Sequence, residues 1–183
     1  MFEKLIRESF NSHLKIAKKI IKEKKEKKEK YIKFGFFDFD ETLYSREGKF
    51  VMEGYEPYNA LVECMKDPEP CYVSIVTARG SDSKEFINNT LKENLEDLFQ
   101  SFTGKFTIET VRDLSPESKP SIYEIANLKA SVINSIIQNN TKDLQETLVI
   151  FYDDVEENVR EVANTLDSLS IPTKNCFVVD QKY

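Results

Sequence analysis

Short apolar runs alternate with helical patterns along most of this chain, and this alternation restricts the possible folds more than any other feature of the sequence. Runs rich in aromatic and β-branched residues span 32–39, 72–76, 147–152 and 176–179, with a shorter one at 106–108. Helical patterns lie between them, at 57–65, 82–99, 120–139 and 155–169. Strands that are joined through helices pair in parallel. The sequence therefore predicts an α/β fold of Rossmann-like type, a three-layer sandwich with a mainly parallel sheet. Pro57 and Pro120 are expected in the first turns of their helices.

The first 30 residues differ in composition from the rest. Apolar residues recur at three- and four-residue steps from Phe2 to Ile21, which is typical of an amphipathic helix, and residues 22–30 are only lysine and glutamate. Residues 1–33 hold 12 Lys+Arg against 5 Glu, whereas the remainder holds 14 basic and 27 acidic residues. We therefore expect a helical arm over 1–30 and one domain over 31–183. The basic part of the arm is either a solvated extension or a contact for nucleic acid or another anionic surface, and the apolar face suits a homo-oligomer.

Several classes of protein are excluded by what the chain lacks. No run of about 18 apolar residues occurs, and charged residues interrupt the hydrophobic pattern near the N-terminus, so we expect no membrane span, no signal peptide and a cytoplasmic protein. Three cysteines without a C-x-x-C pair argue against a disulfide framework and a thiolate zinc site. A single histidine argues against histidine-rich metal sites and Ser-His-Asp hydrolysis. Catalysis by this chain has to rely on carboxylates and lysines.

Acidic and hydroxyl residues follow three of the predicted strands. Asp38 and Asp40 follow the first strand, Thr77 ends the second, and the pair Asp153-Asp154 follows a later one. Ligands of open parallel sheets bind beyond the carboxyl ends of the strands, so these side chains are expected at one rim. Gathered carboxylates repel one another unless a cation lies among them, and oxygen ligands alone favour magnesium. The sequence therefore predicts a Mg²⁺ site, with the four aspartates as candidate ligands.

The residue types at this rim suit phosphoryl transfer. Asp38 and Asp40 can flank one pocket, because residues i and i+2 of a strand share a face. One carboxylate can attack phosphorus to form an aspartyl-phosphate, while the other transfers protons. Thr77 can donate its hydroxyl to the phosphoryl group. Lys129 falls at the centre of an apolar helical stripe, where its ammonium either reaches a carboxylate or phosphate or extends to solvent, and Lys119 is a competing lysine in the preceding loop.

Together these residues resemble the motifs of the haloacid dehalogenase-like (HAD) superfamily of phosphatases. The four motifs of that family occur in order, at Asp38-x-Asp40-x-Thr42, Thr77, Lys129 and Asp153-Asp154. The first, second and fourth motifs stand in the contexts FFDFDETLY, SIVTARG and VIFYDD. The resemblance covers about residues 32–179. The stretch LKASVINSII, followed by FYDDVEENV, is also similar to the phosphatase domains attached to phage polynucleotide kinases and RNA-repair proteins.

The resemblance implies a magnesium-dependent phosphomonoester hydrolase that forms an aspartyl-phosphate. It makes Asp38 the nucleophile and Asp40 the general acid/base. It also implies that Thr77 and Lys129 hold the phosphate, with Thr42 of the first motif as a further phosphate-binding candidate.

Three more residues complete the predicted site. The resemblance implies that Asp154 is a direct metal ligand and that Asp153 supports it. Arg79 either contacts the substrate phosphate or pairs with an acid. Asn158 either orients a neighbour of the metal or is simply a polar residue at a helix edge.

The substrate is less constrained than the chemistry. Segment 44–70 leaves room only for a short cap, so an open site is expected. Its aromatic residues either stack on a base or form a small core, and the core is the favoured interpretation. These residues are Tyr44, Phe50, Tyr55 and Tyr58. An open site suits a nucleotide or nucleic-acid end, or another phosphorylated small molecule. The alternative is a non-catalytic binding or scaffold protein that keeps the HAD fold and assembles through its N-terminal helix.

Overall fold

The computed structural model describes residues 32–51, 55–67, 71–171 and 176–180. The strands in these ranges are β1 (Ile32–Phe37), β2 (Cys71–Thr77), β3 (Lys105–Thr110), β4 (Thr147–Asp153) and β5 (Cys176–Asp180). The α-helices are α1 (Glu56–Lys66), α2 (Lys84–Asn94), α3 (Glu96–Ser101), α4 (Ile122–Asn140) and α5 (Glu156–Ser168), with short 3-10 turns at Ser81–Ser83 and Arg112–Leu114. None of these helices is both long and apolar enough to cross a membrane. The predicted arm over 1–30 lies outside the described residues.

One parallel sheet forms the centre of the molecule. Its strand order is β3-β2-β1-β4-β5, and each neighbouring pair is parallel. The chain builds outward from β1 to β2 and β3, then returns to place β4 and β5 on the other side. The direction of winding therefore reverses between β1 and β4, which is where open parallel sheets bind their ligands. The predicted α/β class with a parallel sheet is confirmed.

Both faces of the sheet are covered by helices. Phe37 lies in a core with residues of α1, α2 and α3, whereas Phe36 lies in a second core with residues of α4 and α5. Both rings are fully buried. Alternate residues of a strand point to opposite faces, so a strand covered on both sides is apolar at consecutive positions. The predicted three-layer sandwich is confirmed.

Two helix boundaries differ from the prediction. The helix predicted over 82–99 is two helices, α2 and α3, which meet at Leu95 with φ −131° and ψ 28°. Leu95 is nevertheless buried in the core, so the apolar periodicity runs through the break and conceals it. Pro120 precedes α4 instead of lying in its first turn, because Ser121 is the N-cap and its hydroxyl accepts a hydrogen bond from a first-turn amide. Pro57 does lie in the first turn of α1.

The predicted cap segment 44–70 contributes mainly to the core. Its helix α1 packs on β1 and β2, with Leu61 fully buried among their side chains. The aromatic residues of this segment belong to the same core. Phe50 is buried in it, and three partly buried rings pack against it, those of Tyr44, Tyr55 and Tyr58. Their favoured interpretation as a small core is confirmed. Residues 52–54 and 68–70 of the segment lie outside the described residues.

Candidate functional site

The carboxyl ends of β1 and β4 place two buried aspartates side by side. Phe37 pairs with Tyr152 in the sheet, and the amide of Asp38 donates a hydrogen bond of 2.8 Å to the carbonyl oxygen of Tyr152. Asp38 therefore leaves the sheet beside Asp153, the last residue of β4. Both residues are buried, with 4% of Asp38 and none of Asp153 exposed. Local strand register is thus sufficient to bring these two predicted site residues together.

Lys129 is buried between these two carboxylates. Its ammonium donates hydrogen bonds of 2.7 Å to Asp38 Oδ1 and to Asp153 Oδ2. Burial opposes the charge of Lys129, but the two carboxylates outweigh this effect and raise its pKa. Of the two roles considered for this lysine, the structure shows contact with carboxylates and not extension to solvent. Lys119, the competing lysine, is exposed.

Asp154 completes a group of three carboxylates. One oxygen from each of Asp38, Asp153 and Asp154 lies within 4.8 Å of the others. Asp153 Oδ1 accepts hydrogen bonds from Asn158 Nδ2 at 2.8 Å and from the amide of Val155 at 3.0 Å, so Asp153 is engaged at both oxygens. Asn158 is therefore an orienting contact and not a helix-edge residue. Asp154 is only partly buried, which leaves it better placed than Asp153 for a direct bond to a cation.

One ammonium faces three carboxylates, and burial together with the excess negative charge raises the pKa of Asp38 and of Asp154. Burial raises the pKa of Asp38 to about 8; Lys129 opposes this shift, and Asp153 and Asp154 add to it. Burial also raises the pKa of Asp154 to about 6, with further contributions from Asp153 and Glu41. A divalent cation among these oxygens would remove the cost of ionising them. The donor set contains only oxygen, so it would suit a hard cation, for which Asp38 and Asp154 would be the ligands and Asp153 a support.

Binding of a divalent cation by these carboxylates, with Mg²⁺ as the probe, is expected to weaken as the pH falls. Because the pKa of Asp154 is raised to about 6, this carboxyl is mostly protonated at pH 5 and must lose its proton before it binds a cation. From this group alone, Kd for Mg²⁺ is expected to rise about 10-fold between pH 7 and pH 5. Isothermal titration calorimetry at the two pH values measures the change. The variant Asp154→Asn should bind Mg²⁺ more weakly and lose this part of the pH dependence, whereas equal affinity at both pH values in the native chain would contradict the site.

Asp40 and Arg79 form a separate pair at the same rim. Arg79 donates to both carboxylate oxygens of Asp40, from Nε at 2.9 Å and from Nη2 at 2.6 Å. The side chain of Asp40 is 45% exposed, and its carboxylate is not part of the group formed by Asp38, Asp153 and Asp154. The structure thus sets Asp40 apart from the other three predicted metal ligands. Of the two roles considered for Arg79, it shows the pairing with an acid.

Two buried hydroxyl groups belong to the predicted phosphate-binding residues. Thr77 ends β2 and is fully buried, and its Oγ1 accepts a hydrogen bond of 3.4 Å from the amide of Arg79. The hydroxyl of Thr77 therefore keeps its own hydrogen for another acceptor. Thr42 is also fully buried, and its Oγ1 has no hydrogen-bond partner among the described residues. Buried hydroxyls without a partner are uncommon, and a bound ligand is one of the groups that can satisfy them.

A pocket of about 640 Å³ opens beside Asp154. Its lining is strongly acidic, with one arginine, and includes Glu41, Arg46, Glu47, Asp154, Glu156 and Glu157. Sequence reasoning missed Glu41, although this residue stands inside the first motif. Its φ of 56° is in the left-handed region, which is costly for a residue other than glycine and recurs at functional sites. Backbone strain of this kind has no sequence signature, so nothing in the chain could have indicated it.

The chain was also compared with known proteins. No protein-family model matches it, and no curated protein or solved structure matches it significantly. The resemblance to HAD phosphatases therefore rests on the four sequence motifs alone.

Proposed function

We propose that the chain is a magnesium-dependent phosphomonoester hydrolase of the HAD type, which transfers phosphate to Asp38. The observation that carries this proposal is the carboxylate of Asp38, buried at the end of the central strand, bonded to Lys129 and close enough to Asp153 and Asp154 to share one cation. An ion pair that only stabilised the fold would need one acid for one lysine. Three carboxylates around one ammonium leave charge for a metal ion and a phosphate to balance.

The first step is attack by a carboxylate oxygen of Asp38 on phosphorus. The bond between phosphorus and the ester oxygen breaks, and the leaving oxygen takes a proton from Asp40. Lys129 and Thr77 are the donors at this rim that hold the phosphoryl oxygens. Bound Mg²⁺ supplies charge neutralisation for the phosphoryl group.

The second step is hydrolysis of the aspartyl-phosphate. Water attacks phosphorus and gives a proton to Asp40, and the bond between phosphorus and the Asp38 oxygen breaks. Inorganic phosphate leaves, and the Asp38 carboxylate is restored. Both steps require Asp40 to exchange protons, so at least one of its hydrogen bonds to Arg79 must open during turnover. A dianionic phosphate is a ligand that can compete for that guanidinium.

The proposed substrate is a nucleotide or a nucleic-acid end, and other small phosphorylated molecules form the alternative class. Within the class of nucleotides and nucleic-acid ends, the acidic pocket beside Asp154 disfavours long strands, because its five carboxylates repel a chain of phosphodiesters. A mononucleotide or the last nucleotide of a strand, entering away from this pocket, fits better than a long polyanion lying across it. A contact between nucleic acid and the basic arm concerns residues outside the described ranges.

Hydrolysis of p-nitrophenyl phosphate with Mg²⁺ and with EDTA tests the proposal. Turnover is expected only with Mg²⁺, and phosphate from a radiolabelled phosphomonoester is expected on the peptide that contains Asp38 after acid quenching. Asp40→Asn is the informative companion variant, because p-nitrophenolate leaves without an acid whereas hydrolysis of the intermediate still needs the base. This variant should accumulate the phosphoenzyme. Metal-independent turnover, or label on another residue, would contradict the mechanism; Mg²⁺ binding without any turnover would favour the binding or scaffold alternative.

A further inference from the structure

Phe86 is a large hydrophobic side chain that the core does not explain. It lies in the first turn of α2 and is 43% exposed, whereas Ile87 and Leu91 form the buried face of that helix. Its ring instead meets the rings of Tyr44 and Phe39, at the edge of the core, edge to face at centroid distances of 5.5 Å and 6.1 Å. An exposed aromatic ring that is fixed by two others is a preformed surface with little conformational freedom to lose on binding.

Arg79 connects this ring to the proposed chemistry. The guanidinium carbon of Arg79 lies 5.2 Å from the centroid of Phe86 and 5.2 Å from that of Phe39, while its nitrogens bind the carboxylate of Asp40. Phe39 directly follows Asp38 in the chain. A leaving group attached to a phosphate at Asp38 must lie near Asp40, because Asp40 protonates its oxygen. The Arg79 guanidinium contacts both Asp40 and the ring of Phe86, so it links the ring to the place where the leaving group is expected.

Space for a ligand adjoins Arg79 on this side. A cavity of about 490 Å³ is lined by the loop after β2 and by the turn after β3, and its charged residues are Arg79, Asp82, Arg112 and Asp113. Two arginines and two aspartates balance one another. The pocket beside Asp154, in contrast, holds five carboxylates and one arginine. An anionic substrate therefore meets less repulsion on the side of Arg79, whose guanidinium also lies over the ring of Phe86.

We propose that Phe86, with the guanidinium of Arg79 beside it, is a stacking platform for an aromatic leaving group of the substrate, which in chemical terms is a nucleobase or another aryl ring. The inference rests on the proposed function and specifies which part of the substrate the protein recognises. Every base has a π face, so the platform distinguishes aromatic from aliphatic leaving groups and not one base from another. Stacking of this kind corresponds to about a 5- to 100-fold difference in binding.

The test compares an aromatic with an aliphatic substrate in the full chain. The measured quantity is kcat/KM for p-nitrophenyl phosphate divided by kcat/KM for acetyl phosphate. In Phe86→Leu this ratio is expected to fall about 5- to 100-fold, because KM rises for the aryl substrate alone. Phe86→Trp should restore the ratio. Phe99→Leu, at a partly buried phenylalanine of α3 that packs on Phe106, is the matched control and should leave the ratio unchanged.

Two results would overturn the platform. Equal losses for both substrates in Phe86→Leu would mean that Phe86 only positions Arg79. No loss for either substrate would mean that its ring meets no substrate. Failure of the proposed function is recognised separately, as absence of Mg²⁺-dependent turnover of either substrate by the native chain. In that case calorimetry in the presence of Mg²⁺ compares the Kd of phenylphosphonate with that of methylphosphonate, neither of which is hydrolysed. A preference for the phenyl compound that is lost in Phe86→Leu would show that Phe86 binds an aromatic ring.

Discussion

Asp38→Asn is expected to lower kcat for phosphomonoester hydrolysis by about 10⁴-fold or more and, at the same time, to make the metal-free protein more stable above pH 8. The loss of activity follows from the loss of the nucleophile, since an amide oxygen does not form the acyl phosphate. The gain in stability follows from burial. Asparagine at this position still accepts a hydrogen bond from Lys129. It carries no charge, so it does not add to the excess negative charge of the cluster.

The direction of the pH effect follows from the two states of the chain. Folding raises the pKa of Asp38 from 3.8 to about 8. Between pH 3.8 and pH 8, therefore, the folded protein holds a proton at Asp38 that the unfolded chain has released. The stability of the metal-free native chain is therefore expected to decrease as the pH rises from about 4 to about 8. In Asp38→Asn this part of the decrease should be absent.

Thermal unfolding in EDTA at pH 5 and pH 9 measures both effects. At pH 9 the variant should unfold at least about 3 °C above the native chain, which is the shift that about 1 kcal/mol produces in a domain of this size. Asp167→Asn, at an exposed aspartate of α5, is the control and should change neither activity nor the pH dependence. A variant less stable than the native chain at pH 9 would show that the Asp38 carboxylate is stabilised by its surroundings.

Lys129→Met is expected to lower the free energy of unfolding by about 3–5 kcal/mol in the metal-free protein at pH 7.5. Methionine has a similar length and suits an apolar helix stripe, so the effect is one of charge and not of volume. Removal of the ammonium takes a hydrogen-bond donor from Asp38 and leaves Asp153, which is fully buried, without its cation. Hydrolysis should fall as well, because a donor to the phosphoryl group is lost.

Urea denaturation of Lys129→Met with and without Mg²⁺ separates these contributions. Added Mg²⁺ should recover part of the lost stability, because it supplies a cation to the same carboxylates. Lys119→Met is the matched control, since this lysine is exposed and its replacement should cost less than about 0.5 kcal/mol. A loss below about 1 kcal/mol in Lys129→Met would contradict the buried ion pairs.

The sequence predicted those parts of the fold and of the site that depend on local pattern. Apolar runs located the strands, and the residues that follow them, such as Asp38 and Asp153, necessarily share a rim in a parallel sheet. Lys129 was conspicuous because it interrupts an apolar stripe, which marks a buried charge whatever its partner.

The features that the sequence did not predict depend on contacts between distant segments or on backbone conformation. Arg79 and Asp40 are 39 positions apart, and only the folded chain shows that this arginine engages both oxygens of that acid. The break at Leu95 preserves the apolar period, so periodicity could not reveal it. Phe86 was missed because a phenylalanine within a helix is assigned to the core unless the direction of its side chain is known.

Lys129 binds residues 91 and 24 positions away in the chain, so the carboxylate cluster exists only when β1, β4 and α4 have all come together. The loops between these residues must close before the cluster can form. The excess negative charge is therefore a product of folding and is absent from the open chain. In the absence of a metal ion and between about pH 4 and pH 8, the closing of the chain draws a proton from solution, and refolding in a weakly buffered medium is accompanied by a rise in pH.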